Sequence, residues 1–192
     1  MNLDLSILYF FNRTLSADWL DPIMILLTNV KAWMPVYIIG AILAIYYKRW
    51  SGLRMVLSTI ILIGLLDLST NLLLKPLVAR ERPCAEVSPG HHIVDWIRLP
   101  DGERFGYSFP SSHALNNFGG VIFFIAVFPR RKWLYWLLVP AAIVAITRLY
   151  LGLHYPSDTL GGALIGAVCG LVWARMHHWF EQRFAPNRMG TQ

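Results

Sequence analysis

Long apolar runs, nearly free of charge, constrain this chain more than any other feature. The longest is "LRMVLSTIILIGLLDLSTNLLL" (Leu53 to Leu74), followed by "WLYWLLVPAAIVAITRLYL" (Trp133 to Leu151). A helix needs about 20 apolar residues to cross the hydrocarbon of a bilayer, and fewer where neighbouring helices shield its ends. "PVYIIGAILAIYY" (Pro35 to Tyr47), "HALNNFGGVIFFIAVF" (His113 to Phe128) and "DTLGGALIGAVCGLVWA" (Asp158 to Ala174) also qualify. Only 15% of the 192 residues are charged and 56% are hydrophobic, whereas a soluble domain carries about 25% charged residues. The expected fold is all-α, a single polytopic transmembrane bundle over residues 1–192 with five to six spans.

The first 34 residues are the least regular. "LDLSILYFFN" sets Leu5, Leu8, Tyr9 and Phe10 against acids and Asn. That pattern suits an amphipathic helix in the interface, over about residues 1–20. "WLDPIMILLTNV" is apolar but short, and reads as a tilted first span or a re-entrant piece. Gly162, Gly166 and Gly170 recur every four residues, which predicts a smooth helix face for close packing. Cys84 and Cys169 form no metal or disulfide pattern, and Cys169 reads as packing. No cleavable signal is expected, because the N-terminus lacks a basic stretch with a small-residue cleavage site.

The net charge of +6 could suggest nucleic acid, but the basic residues fall in short clusters between apolar runs. The expected partner of that pattern is a bilayer and not nucleic acid; the oligomeric state is left open. Lys48, Arg49 and Arg54, then Arg130, Arg131 and Lys132, then Arg175, Arg183 and Arg188 alternate to one side. The positive-inside rule makes that side cytoplasmic, with residues 177–192 as a cytoplasmic tail. The loop of residues 84–109 then lies outside, as does the turn around His154.

Most of the unusual polar residues fall on that outer side, each at the end of a span. Lys75, Arg80 and Arg82 follow one run, Ser111, Ser112 and His113 open another, and Arg148, His154 and Asp158 lie between the last two. Ionisable groups at or inside apolar segments are costly and point to a site. Lys75, Arg82 and Arg148 make a set of three cations, and such cations suit a phosphate. Pro110-Ser111-Ser112-His113 opens a helix whose first N–H groups are an anion site in themselves. Of the two histidines, one can attack phosphorus and the other can protonate the leaving oxygen. Asp158, four residues after His154, can accept the Nδ1 proton and fix the tautomer.

These residues resemble the type 2 phosphatidic acid phosphatase superfamily of membrane lipid phosphatases. The family pattern has Lys, six residues and Arg-Pro, matched by Lys75 to Arg82-Pro83. Its Pro-Ser-Gly-His is matched by Pro110-Ser111-Ser112-His113, with Ser112 in place of Gly. Its Ser-Arg, five residues, His, three residues, Asp is matched by Thr147-Arg148, His154 and Asp158. The resemblance implies that His154 is the nucleophile, that Asp158 orients it, and that His113 is the acid and then the base. It implies that Lys75, Arg82, Ser111, Ser112 and Arg148 hold the phosphoryl oxygens, without a metal or other cofactor. Arg80 stands outside the pattern as a lesser candidate for a substrate contact.

The implied activity is metal-independent hydrolysis of a lipid phosphate at the outer face of a bacterial inner membrane. Undecaprenyl pyrophosphate is the favoured substrate, by analogy with compact bacterial members. Phosphatidylglycerol phosphate, phosphatidic acid and lipid A are the alternatives. A vanadium haloperoxidase is disfavoured by the membrane segments. A non-enzymatic lipid-phosphate binding or transport protein would keep the cations without requiring His154.

Overall fold

The computed structural model describes residues 3–88, 90–102 and 105–184. The chain opens with α1 (Leu3–Tyr9), extended by a π-helical turn, and then forms α2 (Asp21–Thr28) and α3 (Val30–Lys48). Helix α4 (Trp50–Ser69) continues through a second π-helical turn, Thr70–Leu74, into the short α5 (Lys75–Val78). After a small hairpin, β1 (Glu86–Ser88) with β2 (His91–His92), come α6 (Ser112–Val127), α7 (Leu138–Tyr150) and α8 (Pro156–Phe184).

Among the described residues, four helical stretches are long and apolar enough to cross a membrane: 30–48, 50–78, 132–150 and 156–184. The remaining apolar run is α6, which is shorter and packs against α4, α7 and α8. Helices α6 and α8 run parallel, because successive glycines of α8 meet successive turns of α6. A Cβ on Gly162 would lie 2.6 Å from the Ser111 carbonyl oxygen, one on Gly166 2.2 Å from that of Leu115, and one on Gly170 2.3 Å from that of Gly119. The glycine stripe therefore meets a backbone and leaves no space for a methyl group. Helix α4 runs the opposite way, with Leu66 on Gly119 and the Trp173 indole donating to Ser58 at 2.9 Å. At the far end Arg54 pairs with Glu181.

The basic clusters at 48–54 and 130–132, with Arg175 and Arg183, collect at the end of the bundle opposite the starts of α6 and α8. Arg188 and residues 185–192 of the expected tail lie outside the described residues; residues 177–184 belong to α8.

The end where α6 and α8 begin is capped by the N-terminal segment and the long loop. Leu8, fully buried on α1, packs with Val94, Ile97, Leu149 and Tyr155. Trp96 packs edge-on against Tyr9. The buried Asn12 amide donates to the Arg98 and Tyr150 carbonyls at 2.8 and 2.7 Å, and its oxygen accepts from the Arg98 N–H at 2.8 Å. Leu20, Met24 and Ile25, in and just before α2, pack against Tyr150, Leu151 and Leu153. Gly152 turns the chain after α7 at φ 72°, where any Cβ would lie 2.7 Å from the Arg98 carbonyl.

Gly166→Ala should lower the unfolding stability of the detergent-solubilised protein by about 1–3 kcal/mol, the usual cost of overpacking. Gly64→Ala, with nothing within 4 Å of the added methyl group, should stay within about 0.5 kcal/mol of wild type. Thermal unfolding of the two variants side by side checks this.

Candidate active site

The start of α6 is set by Ser111, whose extended backbone (φ −70°, ψ 112°) caps the helix. Its N–H donates to the Asp158 carbonyl at 3.1 Å, so the beginnings of α6 and α8 are tied together. That bond uses the Ser111 N–H and leaves its hydroxyl as the group able to meet a ligand. The hydroxyls of Ser111 and Ser112 are both buried and have no hydrogen-bond partner. The N–H groups of Ser112, His113 and Ala114 belong to the first turn, where a helix offers no internal acceptor. Donors at a helix start with unspent hydroxyls beside them suit an anion.

His154 sits in the turn between α7 and α8 and is 2% exposed. Its Nε2 lies 3.0 Å from Arg82 Nη1. A guanidinium can only donate, so Nε2 carries the lone pair and Nδ1 carries the proton. Nδ1 faces Asp158 Oδ2 at 3.7 Å, longer than a hydrogen bond. This is the tautomer a nucleophilic Nε2 requires, with the proton turned toward a carboxylate. Burial acts most strongly on this ring. Asp158 pulls the pKa up and Arg82 and Arg148 push it down, with the net result a pKa pushed down to about 4.

Arg82 is also held by the Leu153 and Gly106 carbonyls, at 2.9 and 3.1 Å. Arg148, buried at the end of α7, donates from Nη1 to the Thr28 hydroxyl at 2.8 Å. His113 lies next to the backbone of the same Thr28. Lys75 follows the π-helical turn, a feature often found at functional sites. Its Nζ donates to Asn71 Oδ1 at 2.8 Å, and it lies within electrostatic range of Arg82 and Arg148. His113 in turn feels Arg148, His154 and Lys75. The motif residues from four helices and two loops thus face one another at a single end of the bundle.

Arg80, which stands outside the pattern in sequence, donates to Asp158 Oδ1 at 2.7 Å, Ser157 Oγ at 2.6 Å and Asp4 Oδ2 at 2.9 Å. Sequence gives the charge of such a residue but not its direction. Thr28, Ser108 and Asp4 are further residues that the motifs do not point to. Ser108 donates its hydroxyl to Asp158 Oδ2, which also accepts the Tyr155 N–H at 2.8 Å. Thr28 falls in the short apolar run whose pattern left its place open.

A helical bundle that gathers cations, helix-start donors and two histidines at one end has the chemistry of a membrane phosphatase, and comparison with known proteins identifies an integral-membrane lipid phosphatase. The chain belongs to the PAP2 superfamily, whose sequence profile matches residues 51–182. It is 38% identical to a lipid A 4'-phosphatase of Bacteroides thetaiotaomicron, over 97% of this chain and 82% of that protein. It is 28% identical to an undecaprenyl-diphosphatase of Sulfolobus acidocaldarius, over 86% of this chain and 73% of that one. Among solved structures, Aquifex aeolicus LpxE superposes with a TM-score of 0.66 at 21% identity, covering 91% of this chain and 96% of that one. A PAP2-type phosphatidylglycerolphosphate phosphatase from Bacillus subtilis superposes with a TM-score of 0.61 at 24% identity, covering 98% and 90%. Both share the fold.

A rate that needs the Nε2 lone pair is present above the His154 pKa and is lost as pH falls through it. The acid limb of kcat/KM for a soluble phosphate monoester should therefore lie near pH 4, well below the 6.5 of an ordinary histidine. A limb near 6.5 that stays when the substrate is changed for one of different phosphate pKa, and so is not the substrate's own ionisation at about 6, would contradict the buried, cation-flanked setting of His154.

Proposed function

We propose that this enzyme hydrolyses a lipid phosphate or pyrophosphate at the outer face of a bacterial inner membrane through a phosphohistidine. The basic clusters at the opposite end of the bundle support that orientation. Lys75, Arg82, Arg148, the hydroxyls of Ser111 and Ser112 and the first N–H groups of α6 hold the phosphoryl oxygens. His154 Nε2 attacks phosphorus; the N–P bond forms as the P–O bond to the leaving group breaks. His113 gives its proton to the leaving oxygen. The phosphorylated imidazole is cationic, and Asp158 balances it through Nδ1–H. In the second step His113 takes a proton from water, the hydroxide attacks phosphorus, and the N–P bond breaks to restore neutral His154. The charge stabilisation comes from fixed cations and backbone donors.

The observation that carries this reading is the 3.0 Å contact between Arg82 and His154 Nε2. A cation suited to phosphate caps the lone pair suited to attack it. An incoming phosphoryl oxygen that takes over the Arg82 donor uncovers the nucleophile beside phosphorus.

For the lipid, we favour a phosphorylated glycolipid of the lipid A kind. The 38% identity over nearly the whole chain supports it. A row of polar groups along α4 and α6 also supports it. Below Lys75, Asn71 donates to the Asp67 carbonyl at 2.9 Å, and the Asn116 amide approaches Asp67 Oδ1 at 3.4 Å. Asp67 is exposed on an apolar helix, where an acid costs about 2.5–3.5 kcal/mol near the bilayer centre. Sugar hydroxyl and amide groups next to a bound phosphate would supply donors to it; a polyprenyl tail has none. Undecaprenyl pyrophosphate is the second reading, supported by the relatives named for that activity.

Phosphate release in detergent from a lipid A 4'-phosphate and from undecaprenyl pyrophosphate, measured in parallel, tests both parts. His154→Ala should lose about a thousandfold or more with either lipid, and wild-type activity should survive exhaustive chelation. Asp67→Asn should lower kcat/KM about tenfold for the glycolipid, as for one lost charge-assisted hydrogen bond, and leave the polyprenyl substrate nearly unchanged. Full activity of His154→Ala would overturn the mechanism; equal effects of Asp67→Asn on both lipids would overturn the glycolipid assignment.

A further inference from the structure

Asp158 is fully buried, and protein groups occupy both of its oxygens. Oδ2 accepts from Ser108 and from the Tyr155 N–H, and it is also the oxygen that faces His154 Nδ1. Oδ1 is taken by Arg80 Nη1 at 2.7 Å. Arg80 is fixed in turn: its Nη1 also reaches Ser157 Oγ, its Nη2 reaches Asp4 Oδ2 at 2.9 Å, and its guanidinium lies 4.0 Å from the centre of the Tyr155 ring. The other oxygen of Asp4 accepts the Ser157 N–H at 2.9 Å, so the first helix of the chain clasps the first turn of α8. Asp4 lies outside the 51–182 stretch that defines the family here, and Arg80 lies outside the three motifs.

We propose that Arg80, braced by Asp4 from the N-terminal helix, is a positioning residue that holds the Asp158 carboxylate so that Oδ2 serves His154. The inference rests on the reading of His154 as nucleophile. Its physical basis is the geometry of a carboxylate between two cationic partners. Arg80 anchors one oxygen permanently, and the other is left for the imidazolium that forms when His154 is phosphorylated. Arg80 Nη1 and Nη2 both donate to protein groups, so its effect on catalysis passes through Asp158 and not through substrate. The charged and titratable groups around the pair are Arg82, Arg148 and His113 facing His154, with Lys75 beyond them. Arg80, Tyr155 and, through Arg80, Asp4 face Asp158. Removing the positive charge of Arg80 strengthens the pull of Asp158 on His154. Removing the negative charge of Asp4 leaves Arg80 less neutralised and weakens that pull. The two changes therefore act on His154 with opposite sign.

The test is steady-state kinetics of the full-length enzyme in detergent across pH, with Arg80→Met, Arg80→Lys and Asp4→Asn. Arg80→Met should lower kcat about tenfold to a hundredfold with KM nearly unchanged, and should move the acid limb of kcat/KM upward. Arg80→Lys should recover part of the kcat and keep the wild-type limb. Asp4→Asn should lower kcat a few-fold and move the limb downward. Guanidinium ions added to the Arg80→Met enzyme should restore part of the rate, which a misfolded variant would not permit. Unchanged kcat and limb in Arg80→Met would overturn the proposal, as would a rise in KM alone or shifts of the same sign in Arg80→Met and Asp4→Asn. His154→Ala run alongside separates the two failures. If it is inactive while Arg80→Met is normal, only the positioning role falls; if it is active, the nucleophile assignment falls as well.

Discussion

The close contact between α6 and α8 is the constraint on which the rest of the site depends. It exists because α8 presents hydrogen atoms where other helices present side chains, at Gly162, Gly166 and Gly170. The two helices lie parallel, so their positive ends emerge together, and the Ser111 N–H closes on the Asp158 carbonyl. Two helix starts side by side make a region that favours negative charge before any side chain is counted. Lys75, Arg82 and Arg148 then arrive from α5, the loop that follows it and the end of α7. A loosening at Gly166 would separate the serine cradle from the carboxylate and histidine behind it.

Electrostatically the site is held ready for an anion. The buried carboxylate nearest to His154 is tied to Arg80, Ser108 and the Tyr155 backbone, so it offsets little of the charge on the three cations that face the proposed phosphate position. The imidazole stays neutral in their company, because burial and Arg82 and Arg148 outweigh the pull of Asp158. Binding a phosphate dianion reverses that balance: it satisfies the cations, and the positive charge that then develops on His154 meets a carboxylate already oriented. The proposed nucleophile and acid lie on different elements, His154 in a loop and His113 on α6. Thr28 lies beside the second of these and holds Arg148 through its hydroxyl.

Much of this arrangement was legible in the sequence because the spacings carry it. Lys75, Arg82, Ser112, His113, Arg148, His154 and Asp158 each stand at the end of an apolar run, and helices that cross a membrane in alternation bring such ends to common levels. The glycine stripe likewise announced a close contact by its period of four. What the sequence left hidden are contacts between distant parts of the chain. Asp4 meets Ser157 across 153 residues, and Thr28 meets Arg148 across 120. No local pattern encodes such pairs. Arg80 shows this clearly, since no spacing in the sequence points to its partners Asp158 and Asp4. The N-terminal stretch has the composition of an interfacial helix, yet it is packed over the site by Leu8, Asn12 and Asp4.

The central claim is that phosphate passes through His154 Nε2. Rapid quenching of the enzyme during turnover, followed by digestion and mass spectrometry under alkaline conditions that preserve phosphohistidine, tests it directly. The account predicts an acid-labile phosphate on the peptide that carries His154, formed at a rate no slower than kcat and absent in His154→Ala. A quenched enzyme that turns over substrate at full rate with no phosphate on His154, or with phosphate on another side chain, would contradict it.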